Sequence, residues 1–272
     1  MVQSRGPLTG GARSPAGGGW MAACPPKTIR FSLPMRWLPL VLLTLLLAGC
    51  GAERRTLPTP LPASTTPALS AILAAPTPGP VRTFGYLLIG AEGATLVEGV
   101  SFAPDGAPTP LAPGGLWLGE PPPLPAEPPL DAAGAVRYGI VSASGILDGP
   151  GRFGPEGRHT YQLSDPRITP LGLREVTIAL LLENISLYAG QAVRVRGDLL
   201  VSGDSAVLVE RLGPGGVPEA AARQIKLDGP VRNDAALAEL QRSPGDNVRF
   251  GPVEITGVWR GGRLYPLSVR VR

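Results

Sequence analysis

Three stretches of this sequence repeat one local design: a β-rich run, a turn built on Gly or Asp, and a second β-rich run. They are GYLLIGAEGATLVEGVSF (85–102), GQAVRVRGDLLVSGDSAVLVERL (190–212) and GDNVRFGPVEITGVWRGGRLYPLSVRV (245–271). In the second, Val193, Val195, Leu199, Val201, Val207 and Val209 fall mostly at period two, with Arg194 and Arg196 pointing to the other face. Successive strand side chains alternate between the two faces of a sheet, so this pattern predicts strands with one side buried. The third stretch repeats it through Val248, Phe250, Val253, Ile255 and Val258, with Arg260-Gly261-Gly262-Arg263 as its turn. All three read as antiparallel hairpins, and the chain as an all-β protein.

The segments between the hairpins fill in the order. Val136–Leu147 and Arg158–Ile168 read as strands, Leu173–Leu187 as a third strand or a short helix, and Asp234–Gln241 as a helix capped by Asn233 or Asp234 and ended by Pro244-Gly245. A Pro-rich break at 119–134 sets off what precedes it. The expected organisation is therefore a hairpin unit at 81–118, a Pro-rich linker at 119–135, a β domain at 136–212 and a C-terminal β unit with a short helix at 213–272. Over 136–212 the order G-I-L … H-T-Y-Q-L-S-D-P … Y-A-G-Q-A-V-R-V-R-G-D-L-L … A-V-L-V-E resembles the OB-fold, a small five-stranded Greek-key barrel. An immunoglobulin-like sandwich is the architectural alternative, since short strands and frequent turns suit it too.

The OB resemblance implies a ligand face on which aromatic rings stack and arginines meet anions. Arg152, Phe153, Arg158, Tyr161, Arg194 and Arg196 are its candidates, joined by Tyr138. A plain solvated sheet face shows the same alternation of arginines, so both readings stay open at this point.

Upstream of residue 81 the sequence changes character. In MRWLPLVLLTLLLAGC (35–50), Arg36 forms a short positive region, an apolar run follows from Trp37 to Leu47, and Ala48-Gly49-Cys50 closes the segment. Such a run rises about 16 Å as a helix, short of the ~30 Å bilayer core, and so reads as an export signal and not a span. Leu47-Ala48-Gly49-Cys50 resembles the bacterial lipobox. That resemblance implies cleavage before Cys50, a diacylglyceryl group on its thiol, and a protein held on the extracytoplasmic face of the cell membrane. Residues 1–34 lack periodicity and read as an extension ahead of a start at Met35, in preference to Met1 or Met21. The Pro/Thr-rich stretch 51–80 reads as an extended tether, because proline removes backbone donors and fixes φ.

Charge follows the same boundary. The whole chain carries 25 basic and 21 acidic residues, but five of the basic ones and none of the acidic ones lie in residues 1–49. The remainder is near neutral, which argues against a nucleic-acid partner despite a pI near 9.4.

One motif asks for a nucleotide. Gly149-Pro150-Gly151-Arg152-Phe153-Gly154 fits G-x-G-x-x-G and lies near His159, the one histidine of the chain. That fingerprint works only where its glycines end a strand and open a helix whose amides hold a pyrophosphate. Here Pro155 and Gly157 interrupt the segment and strand-like HTYQL follows, so a turn is expected, with an anion-binding nest around Arg152 and Arg158 as the runner-up. His159 lies near Ser164 and Asp165, but at strand spacing 159 and 164 face opposite sides, and no G-x-S-x-G elbow exists. Asp198 and Asp204 read as turn residues, and the Asn184-Ile185-Ser186 sequon has no bearing in a bacterial lipoprotein. No cofactor, metal or catalytic set is expected. The functional expectation is a lipid-anchored binding or scaffolding protein whose partner is a cell-envelope protein or glycan, with an envelope enzyme or an OB-type oligosaccharide or nucleic-acid binder as alternatives.

Overall fold

The computed structural model describes residues 66–121, 123–125, 128–243 and 247–272. The signal segment, Cys50 and residues 51–65 lie outside the described residues. Residues 66–80, expected as the end of an extended tether, instead pack on the fold, with a helix at Leu69–Ala74 whose Leu69 is buried and the first strand beginning at Gly79, because their apolar residues find a core to cover. The alternating runs form strands, and the strands close into two barrels in series.

The first barrel opens with β1 (Gly79–Gly90) and β2 (Gly93–Val97). A small flap of β3 (Val100–Phe102) and β4 (Pro108–Pro110) leads to β5 (Leu116–Gly119). After the Pro-rich segment come β6 (Asp131–Ala133), β7 (Val136–Asp148) and β8 (Tyr161–Pro170). The strand order is β1-β2-β5-β8-β7, with β7 returning to β1, and the β5–β8 contact is parallel. This is the OB-fold order, a closed five-stranded barrel.

The second half repeats the plan. A short β9 (Arg174–Val176) precedes β10 (Ala192–Ser202), β11 (Ser205–Val209), β12 (Gln224–Lys226), β13 (Gln241–Arg242), β14 (Arg249–Arg260) and β15 (Arg263–Val271). β11 joins β10 to β12, and β14 joins β10 to β15. A parallel bridge between Leu227 and Leu264 closes the ring where β5 meets β8 in the first barrel.

The two halves also repeat in sequence. Positions 112 apart carry the same residue at Val81/Val193, Arg82/Arg194, Gly85/Gly197, Leu87/Leu199, Leu88/Leu200, Leu96/Leu208 and Glu98/Glu210, and again at Val136/Val248, Gly139/Gly251, Val141/Val253 and Gly145/Gly257. Two of these glycine pairs have a shared physical cause. A Cβ on Gly85 would come 2.4 Å from the Val97 carbonyl oxygen, and one on Gly197 would come 2.6 Å from that of Val209. A Cβ on Gly145 or Gly257 would likewise meet a carbonyl oxygen of the next strand. Strands coil tightly enough to close a small barrel only where a side chain is missing.

Each barrel has its own apolar filling and its own plug. Leu87, Leu96, Leu116, Val141, Leu147 and Leu163 fill the first; Val193, Val195, Leu199, Leu208, Ile255 and Trp259 are among those filling the second. The helix Leu69–Ala74 sends Leu69 into the first core, and the helix Ile178–Glu183 sends Ile178 and Leu181 into the second. Thr177 caps the latter, its Oγ1 accepting from the Leu180 N–H at 3.2 Å. A third helix, Asp234–Glu239, takes Asn233 as its cap, and the Asn233 side chain also donates to the Val269 carbonyl at 3.0 Å.

The all-β, OB-like expectation holds, but its boundaries shift. Residues 136–170 close the first barrel and 192–209 open the second, so 136–212 straddles the two; 81–118 is the opening half of the first barrel, and 119–135 lies within it, since β6 pairs with β7. The reason is that a barrel is closed by pairing between strands distant in sequence, here β1 with β7, which local alternation does not report. Leu173–Leu187, expected as either a strand or a short helix, holds a short one of each.

An apolar seam joins the barrels. Phe84, Tyr86, Val97, Val100 and Ile140 of the first pack on Ala192, Val258, Tyr265 and Leu267 of the second. Phe84 meets Tyr265 edge to face at 5.3 Å between centroids. The Tyr265 hydroxyl donates to Glu98 and lies 2.9 Å from Ser70 Oγ, and Glu98 also pairs with Arg232 at 2.8 Å. Among the described residues no helix is long and apolar enough to cross a membrane.

Candidate functional site

Beside the seam the two barrels leave a cleft of ≈ 250 Å³. Tyr86, Tyr138 and Ile140 form its wall from the first barrel, with Phe102 from the flap and Leu130 and Leu171 from the flanking loops. The opposite wall is the outer face of β10, β14 and β15, and cross-strand register sets its chemistry. One row across that sheet reads Arg196, Glu254, Arg270; the next reads Arg194, Thr256, Ser268.

Glu254 is the hub of the charged row. Its carboxylate accepts from Arg196 Nε at 2.9 Å and stands 3.4 Å from Arg194 Nε. Arg194 Nε is buried and does not meet donor geometry toward any acceptor, so its contact with Glu254 is an ion pair and not a hydrogen bond. Arg194 also donates to Glu175 on β9 at 3.1 Å. Arg270, directly opposite Glu254 in the ladder, pairs with neither carboxylate; its guanidinium lies 4.0 Å over the Phe102 ring. The rings continue inward, Phe102 packing 5.5 Å from Tyr138 and 6.3 Å from Tyr86.

Tyr86 sits deepest. Burial pushes its phenol up to about 12, partly countered by the hydrogen bond with Ser268 and by Arg194 and Arg270. It therefore stays a neutral hydroxyl across the physiological range.

The glycine motif has a different job. Residues 149–160 form the β7–β8 loop, closed by paired backbone hydrogen bonds between Phe153 and His159 at 2.9 and 3.1 Å. The loop folds over Trp117 of β5. His159 stacks on the indole at 5.3 Å and 26°, a Cβ on Gly154 would come 3.0 Å from the ring, and one on Gly93 would come within 2.5 Å of its other end. These two glycines are required by an indole they touch. Arg158 pairs with Glu156 at 2.9 Å and Glu92 at 3.3 Å, and Arg152 donates to the Glu156 carbonyl at 3.3 Å. The nest arginines are thus engaged by their own loop and by the β1–β2 turn.

The six candidate ligand residues occupy two places. Arg152, Phe153 and Arg158 belong to the loop of the first barrel, Tyr161 packs against that barrel's core, and Arg194 and Arg196 stand on the second barrel. Of the aromatics and arginines named from the sequence, Tyr138 and Arg194 both line the cleft, from opposite barrels. Phe102 and Arg270, which sequence reasoning passed over, complete it; their signal was Arg270 at the alternate position from Ser268 on the last strand. Ser164 bonds to Asp148, not to His159, and Asp198 accepts from the Leu212 N–H at 2.9 Å as a turn brace. Among the described residues no three His, Cys, Asp or Glu side chains converge as a metal set.

Compared with protein-family models, with curated proteins and with solved structures, the chain matches none.

Proposed function

We propose that this chain is an extracytoplasmic lipoprotein, anchored through a diacylglyceryl Cys50, that binds a small ligand in the cleft between its two barrels and catalyses no reaction. The cleft carries the binding half of this reading. It is lined from both barrels, held open by a packed seam, and combines three aromatic rings with an arginine that no carboxylate engages. Small-molecule sites are clefts in which ring and aliphatic surface meets a few fixed polar groups, and this cleft brings both together, with the polar share the larger.

The anchor half is supported by the order of the sequence: a positive residue, an apolar run too short to span, small residues before Cys50, and a proline-rich stretch ahead of the first strand. Growth in radiolabelled palmitate tests it. Label is expected in the wild type and lost in Cys50→Ala; equal labelling of the two, or an unlabelled soluble wild type, overturns the anchor.

A further inference from the structure

We propose that the cleft takes a small organic acid: one carboxylate or phosphate group on a ring or other apolar body, with Arg270 holding the anionic group. This deepens the binding reading above and rests on it.

Charge bookkeeping on the sheet face locates the site. Three arginines, Arg194, Arg196 and Arg270, share that face with Glu254 and, at the β9 edge, Glu175. Both carboxylates are occupied by Arg194 and Arg196 at 2.9–3.4 Å. The surplus positive charge therefore falls on Arg270, even though Glu254 is its direct cross-strand partner.

Arg270 is also held ready. Its guanidinium carbon lies 4.0 Å from the centre of the Phe102 ring, a cation–π contact that restrains the group without occupying its donors on any carboxylate. The N–H donors of a guanidinium form a planar fork that can grip two oxygens of one carboxylate or phosphate. Lysine could supply the charge but not the fork.

The rest of the cleft suits the remainder of such a molecule. Tyr138 and Phe102 offer ring surface, and Ile140, Leu130 and Leu171 offer aliphatic surface. Asp131, at the exposed rim on β6, is the other carboxylate of the lining, and open water screens its reach. Arg270 and Phe102 also border an adjoining trough of ≈ 350 Å³, which gives the apolar body a path in.

Isothermal titration of the full-length protein in detergent with benzoate, phenyl phosphate, inorganic phosphate and benzyl alcohol tests the proposal, using wild type, Arg270→Gln, Arg270→Lys and Tyr138→Ala. Arg270 is exposed, so its variants should keep the wild-type near-ultraviolet spectrum. Arg270→Gln is expected to weaken benzoate and phenyl phosphate by tenfold or more while leaving benzyl alcohol unchanged, and Arg270→Lys to fall between. Whichever of the two acids binds tighter identifies the head group. Binding of both acids that ignores Arg270, or inorganic phosphate binding as tightly as phenyl phosphate, overturns the ligand class. If benzyl alcohol still depends on Tyr138 in that case, the cleft survives as a site and only the acid falls; if no probe responds to Tyr138 or Arg270, the cleft falls with it.

Discussion

The two barrels agree inside and differ outside. At equivalent inward positions they carry the same or similar residues, Leu87 and Leu199, Leu96 and Leu208, Val141 and Val253, all fully buried. At equivalent outward positions on the first strand, Phe84 and Tyr86 of one barrel correspond to Arg196 and Asp198 of the other. The aromatic pair is buried in the seam, and its charged counterparts lie on a face turned to water and to the cleft. Closure of a five-stranded barrel dictates what can point inward, because the space is fixed; what points outward depends on the neighbour. Since the contact is head to tail, one barrel must supply the aromatic patch and the other must not repeat it, or further copies could add on.

That contrast is most sharply tested at the cores. Leu147 and Trp259 are equivalent positions, 1% and 0% exposed. Trp259→Ala should cost about 3–5 kcal/mol and Leu147→Ala about 2–5 kcal/mol, each from lost burial plus the cavity left behind. The seam packs apolar residues of both barrels together, so calorimetry should show one transition that moves down in either variant. Two resolved transitions, with only the mutated barrel's moving, would show that the halves fold independently and that the seam is a weak contact.

A smaller effect belongs to the seam itself. The Tyr86 phenol titrates at about 12 in the folded protein against about 10 when unfolded. The folded state holds the proton more tightly, so this contribution is complete below pH 10 and is lost as the pH rises from 10 toward 12, amounting to about 2–3 kcal/mol. Urea midpoints across that window should fall in the wild type and fall less steeply in Tyr86→Phe. Tyr265, also raised by burial and by its bond to Glu98, contributes its own share and keeps the slope from vanishing. The counterpart Asp198 is a carboxylate that takes no part in titration above pH 10, so Asp198→Asn should leave the alkaline slope unchanged, and equal slopes in wild type and Tyr86→Phe would argue that Tyr86 is open to water.

The long strands, the helix at Asp234, the Gly261-Gly262 turn and the turn at Gly149 were legible, since each is written in local alternation, capping or punctuation; the short strands such as β6 and β12 were not, because three residues carry no period. The duplication was legible too, in VRTFGYLLIGAEGATLVEG against VRVRGDLLVSGDSAVLVER, but only to a comparison of the chain with itself. Hairpin by hairpin, 136–212 offers a strand pair, a helix and a hairpin in OB order, and nothing local says that the pair ends one barrel and the hairpin begins another. The candidate site was harder. Alternation puts Arg194 and Arg196 on one face, but whether Arg270 keeps its cross-strand glutamate depends on which arginine reaches it first, and the aromatic wall opposite comes from a different barrel.

The smallest expected effect concerns the largest visible difference. Where the second barrel turns with Gly261-Gly262, the first inserts residues 149–160. Replacing 149–160 with Gly-Gly removes the Trp117–His159 stack, worth about 0.5–1.5 kcal/mol, and ion pairs of Arg158 that are solvent-exposed and worth little. The shorter loop recovers roughly 1.5 kcal/mol of closure entropy, at about 0.6 kcal/mol per halving of length. These terms nearly cancel, so the urea midpoint should move by less than about 1 kcal/mol equivalent, while tryptophan emission shifts to the red as Trp117 loses its cover. Trp259, wholly buried in the other barrel, provides the unchanged background. A loss of several kcal/mol would instead make the loop part of the barrel's closure, and the two halves would then differ in how they are held together as well as in what they present outside.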